Sequence, residues 1–267
     1  MFVAPDPEQL NENGEFVLSR AVYVALTTLA APLALAAPAQ AQDAPAPAQQ
    51  AAPAETAPAA GQMTPEQIAA FNQAVTDFTA GQQAQQAGDN AAAAAKYEAA
   101  LPAIRTAVQA QPDKIDNVNF LANALYADAA AHGAQGQMDK VIALYGESLP
   151  HWRKLVEAKP ADAASRNILA GILIQLGNQK LAAKDMTGAD PYYKEALTLA
   201  RKSVAENAAD KTNKNILLSA LIGASQAAND EALRKEALDM GKAMMADGTI
   251  DAINKPSIEA MTGQKAG

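Results

Sequence analysis

Arg105, Arg153 and Arg201 stand 48 residues apart (153 − 105 and 201 − 153), and so do Asn119, Asn167 and Asn215. Guanidinium groups at a fixed interval could form a basic row that holds the carboxylates of an extended partner through paired N–H donors. Solvated pairing with acids such as Glu98, or packing of the stems on a neighbouring element, would use the same residues structurally. Carboxamides at a fixed interval could donate to a partner's backbone, or could bond an adjacent helix end and form an internal ladder. Asn123 and Tyr126 lie one and two helical turns beyond Asn119 and extend that candidate contact face, although the later copies read Gly171 and Ile174, then Ser219 and Ile222.

Catalysis has little to build on. The chain has two histidines, His132 and His151, and no cysteine. Glycine-rich phosphate loops, Gly-x-Ser-x-Gly and His-Glu-x-x-His are all missing, and no set of ligands has a recognised metal spacing. The expectation is therefore a protein without a catalytic residue, resident metal or cofactor. The formal charge is −8. Without residues 1–41, which carry Arg20 against Asp6, Glu8, Glu12 and Glu15, it is −5. Such a surface is a poor partner for nucleic acid.

The elements that would position these residues follow from the same step. Tyr97, Tyr145 and Tyr193 share it, as do Leu101, Leu149 and Leu197, and Leu125, Leu173 and Leu221. A fixed period of tens of residues means stacked units that bury apolar faces against their neighbours. The series Ile168, Leu169, Ile172, Leu173 and Leu176 follows the 3.6-residue period of a helix, and no segment alternates as a half-buried strand does. Thr64-Pro65-Glu66-Gln67 opens the first helix with a capping hydroxyl, an early proline and a glutamine three residues after the cap. The expected hairpins pair a helix to about Ala87 with one ending before Pro112, then Ile115–Ala131 with Met138–Ala158, Ala163–Leu181 with Asp190–Glu206, and Thr212–Ala228 with Glu231–Met245. Lys255-Pro256 begins a short final helix. The fold class read from this pattern is all-α.

Gly88…Ala93…Tyr97…Ala100-Leu101 and Gly136…Val141…Tyr145…Ser148-Leu149 resemble the second helix of the tetratricopeptide repeat, and residues 167–201 are the clearest copy. The unit of that family has 34 residues, so each helix here would be about two turns longer. The resemblance runs from about 64 to 246 and weakens in the fourth unit, where Gly241 replaces the tyrosine. It implies a right-handed superhelical solenoid of about four helical hairpins, with the tyrosine column packed between helices. It also implies that the first helix of each hairpin lines a concave binding face.

Residues 1–41 read as a signal peptide, with the apolar run Ala21 to Ala37 followed by Ala39-Gln40-Ala41. The acidic residues 1–16 suggest a misassigned start. Residues 42–62 are rich in Ala, Pro and Gln and read as a disordered linker, and 63–267 as the repeat domain. The expected address is periplasmic or secreted, with no membrane span after cleavage. The expected role is a scaffold for a protein or peptide partner in the bacterial cell envelope, contacted through Asn119, Asn123, Tyr126, Asn167 and Asn215 and through Arg105, Arg153 and Arg201. The alternative is a periplasmic helical-repeat protein that binds a small ligand or a glycan.

Overall fold

The structure is a computed structural model that describes residues 61–263. The signal peptide expected at 1–41 and all but the last two residues of the linker lie outside the described residues. Within them the chain is all-helical. Nine helices follow in order: α1 Pro65–Gln86, α2 Asn90–Ala110, α3 Ile115–Ala134, α4 Met138–Ala158, α5 Ala163–Ala182, α6 Met186–Glu206, α7 Lys211–Ala227, α8 Glu231–Ala246 and α9 Asn254–Met261.

The helix starts are written in local chemistry. Thr64 Oγ1 accepts from the Gln67 backbone while Gln67 Oε1 accepts from the Thr64 backbone, closing both ends of a capping box. Asp89, Asp162, Asp185, Asp210 and Asp230 cap α2, α5, α6, α7 and α8 with a carboxylate on otherwise orphaned amides. One start differs from expectation. The helix expected from Asp190 begins a turn earlier at Met186, because the Asp185 carboxylate accepts from Gly188 N at 2.8 Å and nucleates the turn there.

Each helix packs on the one before and the one after it, and α5 also meets α7. Several contacts between consecutive hairpins recur at the sequence step. Lys154 donates to the Pro112 carbonyl at 2.7 Å and Lys202 to the Pro160 carbonyl at 3.2 Å, both partners having moved by 48 residues. The tyrosine column is core, as expected: Tyr97, Tyr145 and Tyr193 are buried. They fit because small residues face them. A β-carbon on Gly81 would come within 2.6 Å of the Tyr97 ring, and one on Gly177 within 2.9 Å of the Tyr193 ring. Position 129 of the same column is Ala, and there Tyr145 stacks on Tyr126 instead, with centroids 6.0 Å apart. Trp152 is fully buried, and Met244 joins the core with Met240, Met245 and Met261 packed around it. No helix among the described residues is long and apolar enough to cross a membrane.

Candidate functional site

The arginine row exists and each member already holds a carboxylate. Arg105 grips Glu147 through Nε at 2.6 Å and Nη2 at 2.9 Å, and Arg153 grips Glu195 through the same atoms at 2.9 and 2.6 Å. Arg201 donates to Glu236 at 2.6 Å. Each pair joins the second helix of one hairpin to that of the next, so in the chain alone the row is a set of staples. All are solvent-accessible, which keeps each pair's contribution to stability to roughly 0.2–1 kcal/mol.

The asparagine column divides. Asn119 and Asn123 are half-buried on α3, with Asn123 Nδ2 donating to the Asn119 carbonyl at 2.8 Å and to its side chain at 3.1 Å. Asn167 is buried, donating to Asn213 Oδ1 at 2.7 Å and accepting from Ser203 Oγ at 2.8 Å. Asn215 is also buried, and it holds the connection between α8 and α9: Nδ2 donates to the Thr249 carbonyl and Oδ1 accepts from the Asp251 amide, both at 2.9 Å. Tyr126 corrects the expectation of a contact surface. It lies in the core, stacked on Tyr145 and edge-on to Trp152 at 6.2 Å, because the neighbouring large rings offer its ring an apolar slot.

Several polar residues escaped the sequence reading. Asn117, Ser165 and Asn213 form a second column at the same step. Asn117 donates to the Ala107 carbonyl and Asn213 to the Ser203 carbonyl, carbonyls that are themselves two steps apart. Arg166 is buried, donating to the Pro160 carbonyl at 2.6 Å, to Ser203 Oγ and to Glu206, and it ties α5 to the end of α6.

A third group is confined to one junction. Glu98 on α2, Asp128 and His132 on α3 and Lys140 on α4 line an open cleft of about 320 Å³, floored by Leu101, Ala143 and Leu144. His132 Nε2 lies 3.0 Å from Glu98 Oε1 and 3.3 Å from Asp128 Oδ1, while Lys140 Nζ is 2.9 Å from Glu98 Oε1. Asp128 is 1% exposed and His132 3%, and neither Asp128 Oδ1 nor His132 Nδ1 makes a hydrogen bond. Burial pushes the Asp128 carboxyl up to about 6, with His132 pulling the other way and Glu98 adding to the rise. Lys140 and His132 hold the Glu98 carboxyl below its ordinary value, Lys140 more strongly.

Sequence spacing offered no metal ligand set, yet the fold brings one donor atom each from Glu98, Asp128 and His132 within 4.8 Å of one another. The signal that could have found the cluster was its failure to repeat. The positions equivalent to Asp128 are Leu176 and Ala224, those of His132 are Lys180 and Ala228, and those of Glu98 are Gly146 and Lys194. A carboxylate buried where other copies place apolar side chains is poorly explained by packing. No protein-family model matches the chain, and no curated protein matches it significantly.

Proposed function

We propose that this chain is an exported helical-repeat scaffold, a right-handed superhelical solenoid of tetratricopeptide-like hairpins that holds an extended protein or peptide partner in the bacterial cell envelope and catalyses nothing. The observation that carries this reading is Asn215. Its carboxamide takes a backbone carbonyl and a backbone amide two residues apart from the segment Thr249 to Asp251, a contact that reads backbone irrespective of sequence and that a partner's chain could make as well. Asn119 stands at the same position two units earlier, half-buried beside Asn123, and among the described residues no chain segment is bonded across it. The arginine row would contribute by exchanging a glutamate of this chain for a carboxylate of the partner. Stapled, consecutively packed hairpins supply the rigidity that keeps the ordering cost of such capture low.

The test is capture from an envelope extract with residues 42–267, beside a double variant Asn119→Ala/Asn123→Ala. A protein retained by the first and lost by the second, with both folded, supports the reading. Equal retention by both removes the α3 face from it.

The cleft between α2, α3 and α4 favours a second reading, a small-ligand or glycan-binding protein, since its volume lies at the lower end of ordinary ligand pockets. A thermal-shift screen that finds one preferred compound, together with an empty capture experiment, would favour it.

A further inference from the structure

We propose that Glu98, Asp128 and His132 form a binding site for one divalent transition-metal ion, zinc being the best-fitting probe, at the junction of α2 and α3. Tetrahedral zinc with bonds near 2.0–2.2 Å places its donor atoms roughly 3.3–3.6 Å apart. The two separations that radiate from His132 Nε2 are 3.0 and 3.3 Å, so one centre could be shared after small rotations of the carboxylates. The donor set, one imidazole and two carboxylates, is of the borderline kind that zinc, manganese and iron accept. Its open side faces the cleft, which leaves room for water or another ligand in the fourth position.

Three observations beyond the clustering point to an ion. The buried Oδ1 of Asp128 faces His132 Nε2 without receiving a hydrogen bond, and a buried carboxylate oxygen left so is costly unless a cation completes it. His132 Nε2 is the ring nitrogen that faces both carboxylates, within hydrogen-bond reach of Glu98 Oε1 and 3.3 Å from Asp128 Oδ1. Finally, the three donors occur only at this junction, while the staples and carbonyl contacts that build the stack recur.

Lys140 opposes the ion, because its ammonium lies on Glu98 Oε1 and would be repelled by a dication beside it. That gives the site a signature that a plain ion-pair network lacks. Zinc titration of the untagged, chelator-stripped full chain should give one ion per chain. Glu98→Gln and Asp128→Asn should each weaken binding by at least about tenfold, and Lys140→Ala should tighten it severalfold. Glu98 and Lys140 are exposed enough that their variants keep the fold, which melting in excess chelator checks. Cobalt substituted for zinc should show the visible absorption of a four- or five-coordinate ion in the wild type and lose it in Glu98→Gln. Failure of the wild type to bind zinc, or equal affinity in Glu98→Gln and Asp128→Asn, would overturn the site. Unchanged affinity in Lys140→Ala would place the ion away from Glu98 and overturn the ligand set.

Discussion

Ile258 of α9 packs directly on the backbone of Gly241 in α8: a β-carbon at 241 would stand 2.5 Å from Ile258 Cδ1. Position 241 is where the three preceding hairpins carry Tyr97, Tyr145 and Tyr193. The missing ring makes space for the last helix, and Asn254, buried beside it, donates to the Asn215 carbonyl and accepts from Ser219 to fix α9 in place. Loss of the tyrosine and arrival of the terminal helix are one device.

Restoring the repeat should therefore harm the protein. Gly241→Tyr inserts a side chain where Ile258 sits, and overpacking of that kind costs about 1–3 kcal/mol. The expected outcome is detachment of α9, read as faster amide exchange over residues 254–261 with the exchange of α3 and α5 unchanged. Uniform acceleration across all helices would show that α9 is not a separable cap.

The glycines that face Tyr193 should rank by distance. A methyl at Gly223 would approach the ring to 2.0 Å and one at Gly177 to 2.9 Å, and both belong to well-packed helices that cannot retreat freely. Gly223→Ala should lose the larger share of stability, about 2–3 kcal/mol, and Gly177→Ala about 1 kcal/mol, less whatever each gains in helix propensity. Denaturant midpoints of the two variants provide the comparison, and the reverse order would mean that the ring yields more easily to a methyl on α7 than to one on α5.

Much of this fold was readable because its causes are local or periodic. Thr64 with Gln67, and the glycine turns, are signals within a few residues of the structure they produce. The 48-residue step aligns the tyrosines in one column, and the resemblance of that column to the tetratricopeptide repeat implies the burial that the structure shows. What escaped required knowing which residues of different hairpins meet. The partners of Arg105 and Arg153, Glu147 and Glu195, are themselves one step apart and could have been found by matching columns of opposite charge, but Arg201 breaks the rule by using Glu236. Asp128 and His132 are one helical turn apart and visible as a pair, whereas Glu98 reaches them from the previous hairpin and had no local signature. Tyr126 has the apolar copies Ile174 and Ile222, which mark its position as core, whereas Asn119 and Asn123 on the preceding turns mark the face as polar.

Asp128 should set an acid-side slope in stability. Its folded-state value of about 6 lies above the ordinary 3.8, so the native state binds more protons than the unfolded chain between those limits. The contribution is fully present below 3.8 and is lost as the pH rises through 6. The charges of His132, Glu98, Lys140 and Arg105 all act on the same carboxyl. Asp128→Asn should flatten that part of the profile and raise stability at pH 7.5 by on the order of 1–3 kcal/mol in the presence of chelator. Urea unfolding across pH 4–8 measures it, and a variant as pH-sensitive as the wild type would mean that the slope arises elsewhere.

Asn119, Asn167 and Asn215 occupy one column, and their bonds predict that they will not respond alike. Asn167→Ala removes the acceptor of Ser203 Oγ and the donor to Asn213 in a buried setting, and Asn215→Ala releases both backbone groups of the 249–251 segment. Each should cost about 1–3 kcal/mol, the usual penalty for stranding buried polar partners. Asn119 is half-buried, and among the described residues its side chain is joined by the amide of Asn123 alone, so Asn119→Ala should stay within about 0.5 kcal/mol of the wild type. Urea midpoints of the three single variants test the ranking. A large loss in Asn119→Ala would make the whole column structural and leave α3 without a side chain kept for a partner; a small loss, with capture abolished, would mark the face where an extended chain lies as its counterpart lies across Asn215.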